Sequence, residues 1–446
     1  MNKYIPKNND ETNKMMEKIG IDENDLFKDV NINIRIDKLN IPEEFSEIEL
    51  LNDVRKIANK NSTINQLTCF LGAGVYDHYI PSVIDDIISR QEFYTSYTSY
   101  QPEISQGNLQ AIFEYQTMIC ELTGMEVTNS SMYDGATATA EAMNMACNLK
   151  NKNKVLISQS VHPETVEVVK TYGKYLNKEI NEFQLDDFGG VNIEDLESKI
   201  SDETGAVIIQ SPNFFGIIEN ISKISDIVHK NKAYLIVIVD PLSLAILEPA
   251  GSLGADITVG DGQVLGNSLN FGGPHLGFFS TSKKLMRKMP GRLVGETKDK
   301  EGKRAFVLTI QTREQHIRRE KATSNICSNH ALNALIASIY LTTMGKEGII
   351  EVANLCLQKA HYLYDLLIST NLFEPVFKNT FFKEFTLKYK KDGKKLNEFL
   401  YKNNILGGYL VENIYPKMKG YYLIAVTEKR TREDMDNFVN LITRNF

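Results

Sequence analysis

Four polar side chains stand directly after short apolar runs that read as strands. They are His162 after 155–158, Asn213 after 206–210, Asp240 at the close of Tyr234-Leu-Ile-Val-Ile-Val239, and Gln263 after 256–259. In a parallel sheet the carboxyl ends of the strands open on one crevice, so these four are candidates for a single pocket. A fifth stretch, Asn129-Ser-Ser-Met-Tyr-Asp-Gly-Ala-Thr137, leads into an alanine-rich helix. The free amides of that helix start, with the hydroxyls of Ser130, Ser131 and Thr137 around Asp134, suit an anion. Asp240 is a carboxylate for a protonated ring nitrogen, and His162 is a ring to stack on another. Taken singly, each residue reads equally as a helix cap, a turn aspartate or a structural histidine.

Taken together they are three of the four supports that pyridoxal phosphate needs: a phosphate cradle, a carboxylate partner for the pyridine nitrogen and a stacking group. The fourth is a lysine that forms an imine with the cofactor. Position 263 lies 23 residues beyond Asp240 (263 − 240), a spacing that suits that lysine, and it holds glutamine. A neutral amide forms no imine, and the nearest lysine downstream is Lys283. The expectation is a degenerate pocket, with walls and no nucleophile.

Two further stretches are unusual. Tyr94, Tyr97 and Tyr100 recur every third residue and are followed by Gln101, Glu103, Ser105 and Gln106. Tyrosine offers apolar area and a hydrogen bond together, so the segment reads as a binding loop, with a buried linker as the alternative. Arg313, His316, Arg318, Arg319 and Lys321 cluster around a polar turn and read equally as a surface ion-pair network. Lys283, Lys284, Arg287, Lys288 and Arg292 follow the glycine-rich turn and are candidates for docking an acidic carrier, or form a solvated helix face.

The elements that must position these groups fall into three regions. Residues 1–65 read as an arm with helices near 10–19 and 46–60, broken at Ile41-Pro42. Residues 66–330 alternate apolar strands with helices such as 163–176 and 192–200, which predicts an α/β, mostly parallel, doubly wound sheet domain. Residues 331–446 predict a smaller α+β domain, with helices at 331–344 and 346–367, strands at 384–389 and 422–426, and a last helix at 432–443. The chain of 446 residues is 42% hydrophobic with a formal charge of −7, which suits a globular enzyme and disfavours nucleic acid as a partner. The five cysteines show no metal-binding spacing, and their odd number suits a reducing compartment. The first ten residues hold no apolar core of the signal-peptide kind, and the longest apolar run is strand-sized, so no metal, no membrane and a cytoplasmic location are expected.

Phe70-Leu-Gly-Ala-Gly-Val-Tyr-Asp-His-Tyr79, Tyr100-Gln-Pro-Glu-Ile-Ser-Gln-Gly107, Asn129-Ser-Ser-Met-Tyr-Asp-Gly135, Asn270-Phe-Gly-Gly-Pro-His-Leu-Gly277, Met289-Pro-Gly-Arg-Leu-Val-Gly295 and Arg313-Glu-Gln-His-Ile-Arg-Arg319 occur in this order. With them the chain resembles, over nearly its whole length, the α subunits of two-subunit bacterial glycine decarboxylase, the P-protein of the glycine cleavage system. Ser99 departs from the resemblance where the loop has proline, which removes a fixed φ. The resemblance implies a fold-type I pyridoxal-phosphate-enzyme architecture and a vestigial pocket in this chain. It implies a paralogous subunit 2 carrying the lysine and cofactor, and a complex with two copies of each subunit. It implies decarboxylation of glycine and transfer of the aminomethyl group to the lipoyl arm of the H-protein. It also implies that Tyr97, Tyr100, Gln101, Glu103, Ser105 and Gln106 line the active site at the subunit interface. A self-sufficient transaminase or decarboxylase is the alternative, opposed by Gln263.

Overall fold

The computed structural model describes residues 9–36, 40–42, 45–96, 99–322, 324–326 and 330–446, which divide into units 1–62 and 63–446. The first unit holds helices α1 (Asn9–Ile19), α2 (Glu23–Leu26) and α3 (Glu47–Ala58). Ser46 and Glu49 cap α3 reciprocally, the Ser46 side chain accepting from the Glu49 amide and the Glu49 side chain from the Ser46 amide. Neither α1 nor α3 buries a residue.

The second unit opens with β1 (Thr68–Cys69) and helices α4 (Val83–Ile88), α5 (Gln91–Tyr94) and α6 (Gln106–Thr123). The large sheet follows: β2 (Val127–Thr128), α7 (Gly135–Lys150), β3 (Lys154–Ser158), α8 (Pro163–Tyr175), β4 (Glu179–Phe183), α9 (Ile193–Lys199), β5 (Thr204–Ser211), α10 (Ile221–Lys230), β6 (Tyr234–Val239), β7 (Ile257–Asp261) and β8 (Gly277–Thr281). Its order is β2-β8-β7-β6-β5-β3-β4, parallel from β4 through to β7, with β8 antiparallel to both β7 and β2. Successive side chains of a strand go to opposite faces. Val207, Ile209, Leu235 and Val237 therefore pack with α6, α10 and α12, the helix that starts at 331, while Ala206, Ile208, Ile236 and Val259 pack with α7 and α8. Covered faces on both sides explain the unbroken apolar runs. The strand order reverses between β3 and β5, whose following loops carry His162 and Asn213.

A hairpin of β9 (Leu293–Lys298) and β10 (Arg304–Thr309) and the short α11 (Gln315–Arg318) precede α12 (Ala331–Ser369). Gly345, at φ +61°, breaks α12 where the sequence predicts two helices. Then come β11 (Phe373–Pro375), β12 (Glu384–Tyr389), α13 (Gly393–Lys402), β13 (Ile405–Leu406), β14 (Tyr409–Leu410), β15 (Tyr421–Ala425) and α14 (Arg432–Asn445). β11-β12-β15-β14 form an antiparallel sheet, and β13 pairs with β1. The Ala425 amide donates to the Phe70 carbonyl, so residues 68–79 run as a strap from the small sheet toward the ends of β6 and β7. Among the described residues no helix is long and apolar enough to cross a membrane.

The loop after β5 is clamped to the small sheet. Asn213 Oδ1 accepts from the Phe215 and Ile217 amides, and Thr386 Oγ1 donates to the Phe215 carbonyl. Gly216 sits at φ +92°, where a Cβ would lie 1.8 Å from the Glu384 carbonyl oxygen. Gly216→Ala must therefore move the backbone of β12, and the expected loss is about 2–4 kcal/mol in denaturant unfolding. An Ala variant as stable as the parent would show that this junction yields.

Candidate functional site

The crevice at the carboxyl ends of β3, β5, β6 and β7 is a cavity of about 350 Å³, closed on its outer side by Ala73–Tyr76 of the strap and Phe382–Glu384 at the start of β12. Asp134, His162, Asn213, Asp240 and Gln263 all line it, so the strand-end reading brings those five together. Ser130, Ser131 and Thr137 do not line it. Ser130 and Ser131 are buried, the Ser130 amide donating to the Arg292 carbonyl, and Thr137 is spent on a reciprocal cap with Asp134.

Gln263 is fully engaged by its own chain. Its Nε2 donates to the carbonyls of Tyr76 (3.2 Å) and Asn267 (2.9 Å), and its Oε1 accepts from the Tyr76 amide (3.2 Å). The amide thus matches both backbone groups of Tyr76, and that pairing anchors the strap to β7. The expected stacking residue His162 caps α8, and its Nε2 meets the Ala73 carbonyl at 2.8 Å. A Cβ at Gly74 would lie 2.9 Å from the same ring nitrogen, and the ring packs edge-on to Phe214. Asn213 is a turn former whose Nδ2 donates to Gly189 and to buried Glu219.

Asp240 does reach the cavity, but it holds Lys383. The ammonium lies 2.6 Å from Asp240 Oδ2, 3.0 Å from His78 Nε2 and 3.7 Å from the centre of the Tyr76 ring, and the lysine side chain is 2% exposed. Burial, then the Lys383 charge, lower His78, and because an ammonium can only donate, His78 accepts at Nε2 and donates from Nδ1 to Glu428 at 2.6 Å. Burial alone would raise Glu428, but the bond from His78, with the Tyr79 amide behind it, holds that carboxyl down at about 2. Glu384 accepts from the Ala73 amide (2.6 Å) and Tyr76 hydroxyl (2.8 Å), and burial raises it to about 7. Sequence reading missed Lys383, Glu384, His78, Tyr76 and Glu428. The one available signal was Lys383-Glu384, two charges opening an apolar strand.

At the start of α7 the helix amides already face carboxylates. Asp134 Oδ1 accepts from Thr137 N at 2.7 Å and Asp261 Oδ2 from Gly135 N at 3.2 Å, with His275 Nδ1 3.6 Å from Asp261. A covalently held pyridoxal phosphate does not fit these residues. Position 263 offers an amide, the ring-nitrogen carboxylate is taken by an ammonium, and the cradle faces two carboxylates of the chain itself.

Among the described residues, none from the tyrosine-rich loop lines the cavity. Tyr97 lies outside the described residues. Tyr100 lies under the Arg292 guanidinium, 4.0 Å from its ring centre, and Arg292 also reaches Glu314 at 3.6 Å. Gln106 exchanges two hydrogen bonds with the backbone of Phe306, and buried Ser105 stands at the start of α6. Gln101 and Glu103 are exposed. The loop therefore docks on the β9–β10 hairpin. Of the basic cluster, Lys283, Lys284, Arg287 and Lys288 are exposed, and Lys283 stands 4.0 Å from Glu126.

The buried carboxyls set a pH dependence. Burial raises Glu384 and Glu219 to about 7 from an ordinary 4.5. Their protons are held more tightly folded than unfolded, so the stability they contribute is complete below about pH 4.5 and is lost as pH rises through about 7. Glu428 runs the other way, contributing above about pH 4.5 and losing that contribution toward about pH 2. Glu384→Gln is expected to flatten the fall in melting temperature between about pH 5 and 8. An unchanged slope in that variant would mean that Glu384 does not ionise over this range.

The chain matches the family described as Glycine cleavage system P-protein over residues 2–442. It is 52% identical, over 99% of both chains, to the probable glycine dehydrogenase (decarboxylating) subunit 1 of Carboxydothermus hydrogenoformans, and 51% identical, over 98% of both, to that of Bacillus licheniformis. The crystal structure of a glycine decarboxylase (P-protein) of the glycine cleavage system, in inhibitor-bound form, superposes with a TM-score of 0.90 at 39% identity, covering 99% of each chain. The sphingosine-1-phosphate lyase of Burkholderia pseudomallei shares the fold alone, with a TM-score of 0.67 at 12% identity over 91% of this chain and 92% of the lyase. The arrangement is that of the fold-type I pyridoxal-phosphate enzymes, and the chain belongs to the glycine cleavage system P-protein family.

Proposed function

We propose that this chain is the cofactor-free subunit of a two-subunit glycine decarboxylase. A paralogous subunit 2 holds pyridoxal phosphate on its own lysine, and the pair decarboxylates glycine and passes the aminomethyl group to the lipoyl arm of the H-protein. The observation that carries this reading is Gln263, an amide bound on both sides to the backbone of Tyr76 at the position suited to the lysine. A self-sufficient enzyme is disfavoured by the same residue. The names of the similar proteins, each a subunit 1 of glycine dehydrogenase, support a partner subunit.

This chain's own contribution is to assemble with subunit 2 and to line its active site. The exposed groups of the 100–106 loop, held on the β9–β10 hairpin through Gln106, are the candidates for reaching the partner's substrate. A loop anchored at its end and free at Gln101 and Glu103 orients polar groups with little ordering left to do on assembly.

The reading is tested by reconstitution. The purified chain is expected to release no labelled CO2 from glycine, and activity is expected to appear on adding subunit 2 with lipoylated H-protein. Turnover by this chain alone, or subunits that elute as separate species, would refute it. Within the assembled enzyme, Tyr100→Phe keeps the ring under Arg292 and removes only the hydroxyl, and Gln101→Ala removes an exposed amide. Each is expected to lower turnover at least tenfold, on the order of 1.4 kcal/mol, with assembly and melting temperature unchanged. Full turnover in both variants would make the loop a structural linker.

A further inference from the structure

The charges of the cavity are paired as if a ligand were already in it. Its acidic strand-end residue, Asp240, faces an ammonium, Lys383. That ammonium is contacted from three directions by Asp240, His78 and the Tyr76 ring, supplied by the end of β6 and the strap. A chance surface contact would be wet, whereas the Lys383 side chain is 2% exposed. At the opposite wall, the amides of Gly135 and Thr137 donate to Asp261 and Asp134. A cation-binding and an anion-binding position are thus both filled, one by each sign of charge.

We propose that Lys383, together with Asp134 and Asp261, is a built-in replacement for a bound pyridoxal phosphate. The Lys383 ammonium takes the place of the protonated ring nitrogen opposite Asp240, and the two carboxylates take the place of the phosphate at the start of α7. The chain then excludes the cofactor because the groups that would hold it are already paired, and Gln263 belongs to the same set of internal pairings. The cation position left by removing Lys383 would accept a primary alkylammonium ion, since Asp240, His78 and Tyr76 recognise a compact cation with N–H donors. The family reading enters only in naming the excluded cofactor.

The first test is Gln263→Lys in the full chain, with pyridoxal phosphate as probe. Gln263→Lys, shown to be folded by its circular dichroism, is expected to stay colourless after dialysis. A dialysis-stable band near roughly 420 nm, the usual range of an imine of this cofactor, would overturn the proposal. The second test is chemical rescue. Lys383→Ala is expected to melt several degrees below the parent, because it leaves the half-buried Asp240 without its partner. n-Propylammonium, which matches the atoms removed, should restore at least half of that loss. Sodium and tetramethylammonium at equal ionic strength should not, and the parent should not respond. A parent-like melting temperature in Lys383→Ala, or equal effects of the three cations, would overturn the proposal. If Lys383→Ala does not fold, the cycle of Asp240→Asn, Lys383→Met and the double variant decides. The double variant should be more stable than either single one, and a merely additive loss would overturn the proposal. None of these measurements needs subunit 2 or glycine turnover, so they can fail while the subunit reading stands, and the reverse also holds.

Discussion

A buried ammonium must be compensated on every side, and Lys383 draws its compensation from segments far apart in the chain. Asp240 comes from the last turn of the most apolar strand, His78 and Tyr76 from the strap, and the lysine itself from the small sheet. Removing water from one charge costs several kcal/mol, so the pair persists only where geometry and further hydrogen bonds are good. This requirement fixes where β12 can sit against β6. It also extends outward, because His78 is held by Glu428, which in turn takes the Tyr79 amide and lies 3.4 Å from Cys356 Sγ. Asp77 beside it binds Lys429 and Arg430. The core between the large sheet and α12 and the core of the small sheet are therefore joined by a polar layer whose members are nearly all paired.

That layer shows how the polar groups of the crevice in this cofactor-enzyme fold are satisfied from within the chain. In such folds the ligand fills the crevice at the strand ends, and an empty polar crevice would leave carboxylates and helix amides unmatched. Here the strap supplies the matches. Gln263 takes both backbone groups of Tyr76, His162 takes the Ala73 carbonyl, and Glu384 takes the Ala73 amide and the Tyr76 hydroxyl. A lysine at 263 would have offered no acceptor to the Tyr76 amide. The glutamine is thus the side chain that ties the strap down, as well as one that cannot react.

The same logic underlies our proposal that the chain contributes to catalysis from outside its own cavity. The polar groups of the cavity are satisfied internally, while the 100–106 segment is held at both ends, through Tyr100 and Gln106, and exposed at Gln101 and Glu103 between them. Tyr100 stacks on Arg292, Arg292 reaches Glu314, and the carbonyl of Arg292 receives the Ser130 amide. The loop is therefore continuous with the rigid start of α7, which suits a segment that must hold a position relative to a second protein.

Much of this protein was legible in its residues. The unbroken apolar runs announced a sheet covered on both faces, the alternation with helices announced parallel strands, and Gly345 marked the break in α12. Five polar residues at strand and helix ends, Asp134, His162, Asn213, Asp240 and Gln263, line one cavity, because a parallel sheet sends all such ends to one side. Gln263 alone showed that no imine forms there. What those residues do was decided by the tertiary structure. Ser130 and Ser131 turned out to lie behind the crevice and Thr137 to cap its own helix, since a hydroxyl near a helix start can face either way. His78 and Glu428 gave no local sign of their roles, and Lys383-Glu384 gave only two charges opening an apolar strand. Each acquires its role only when segments more than a hundred residues apart meet and exclude water. Periodicity and strand ends are local properties that a sequence carries by itself, whereas the pairing of buried charges exists only after the chain has folded around them.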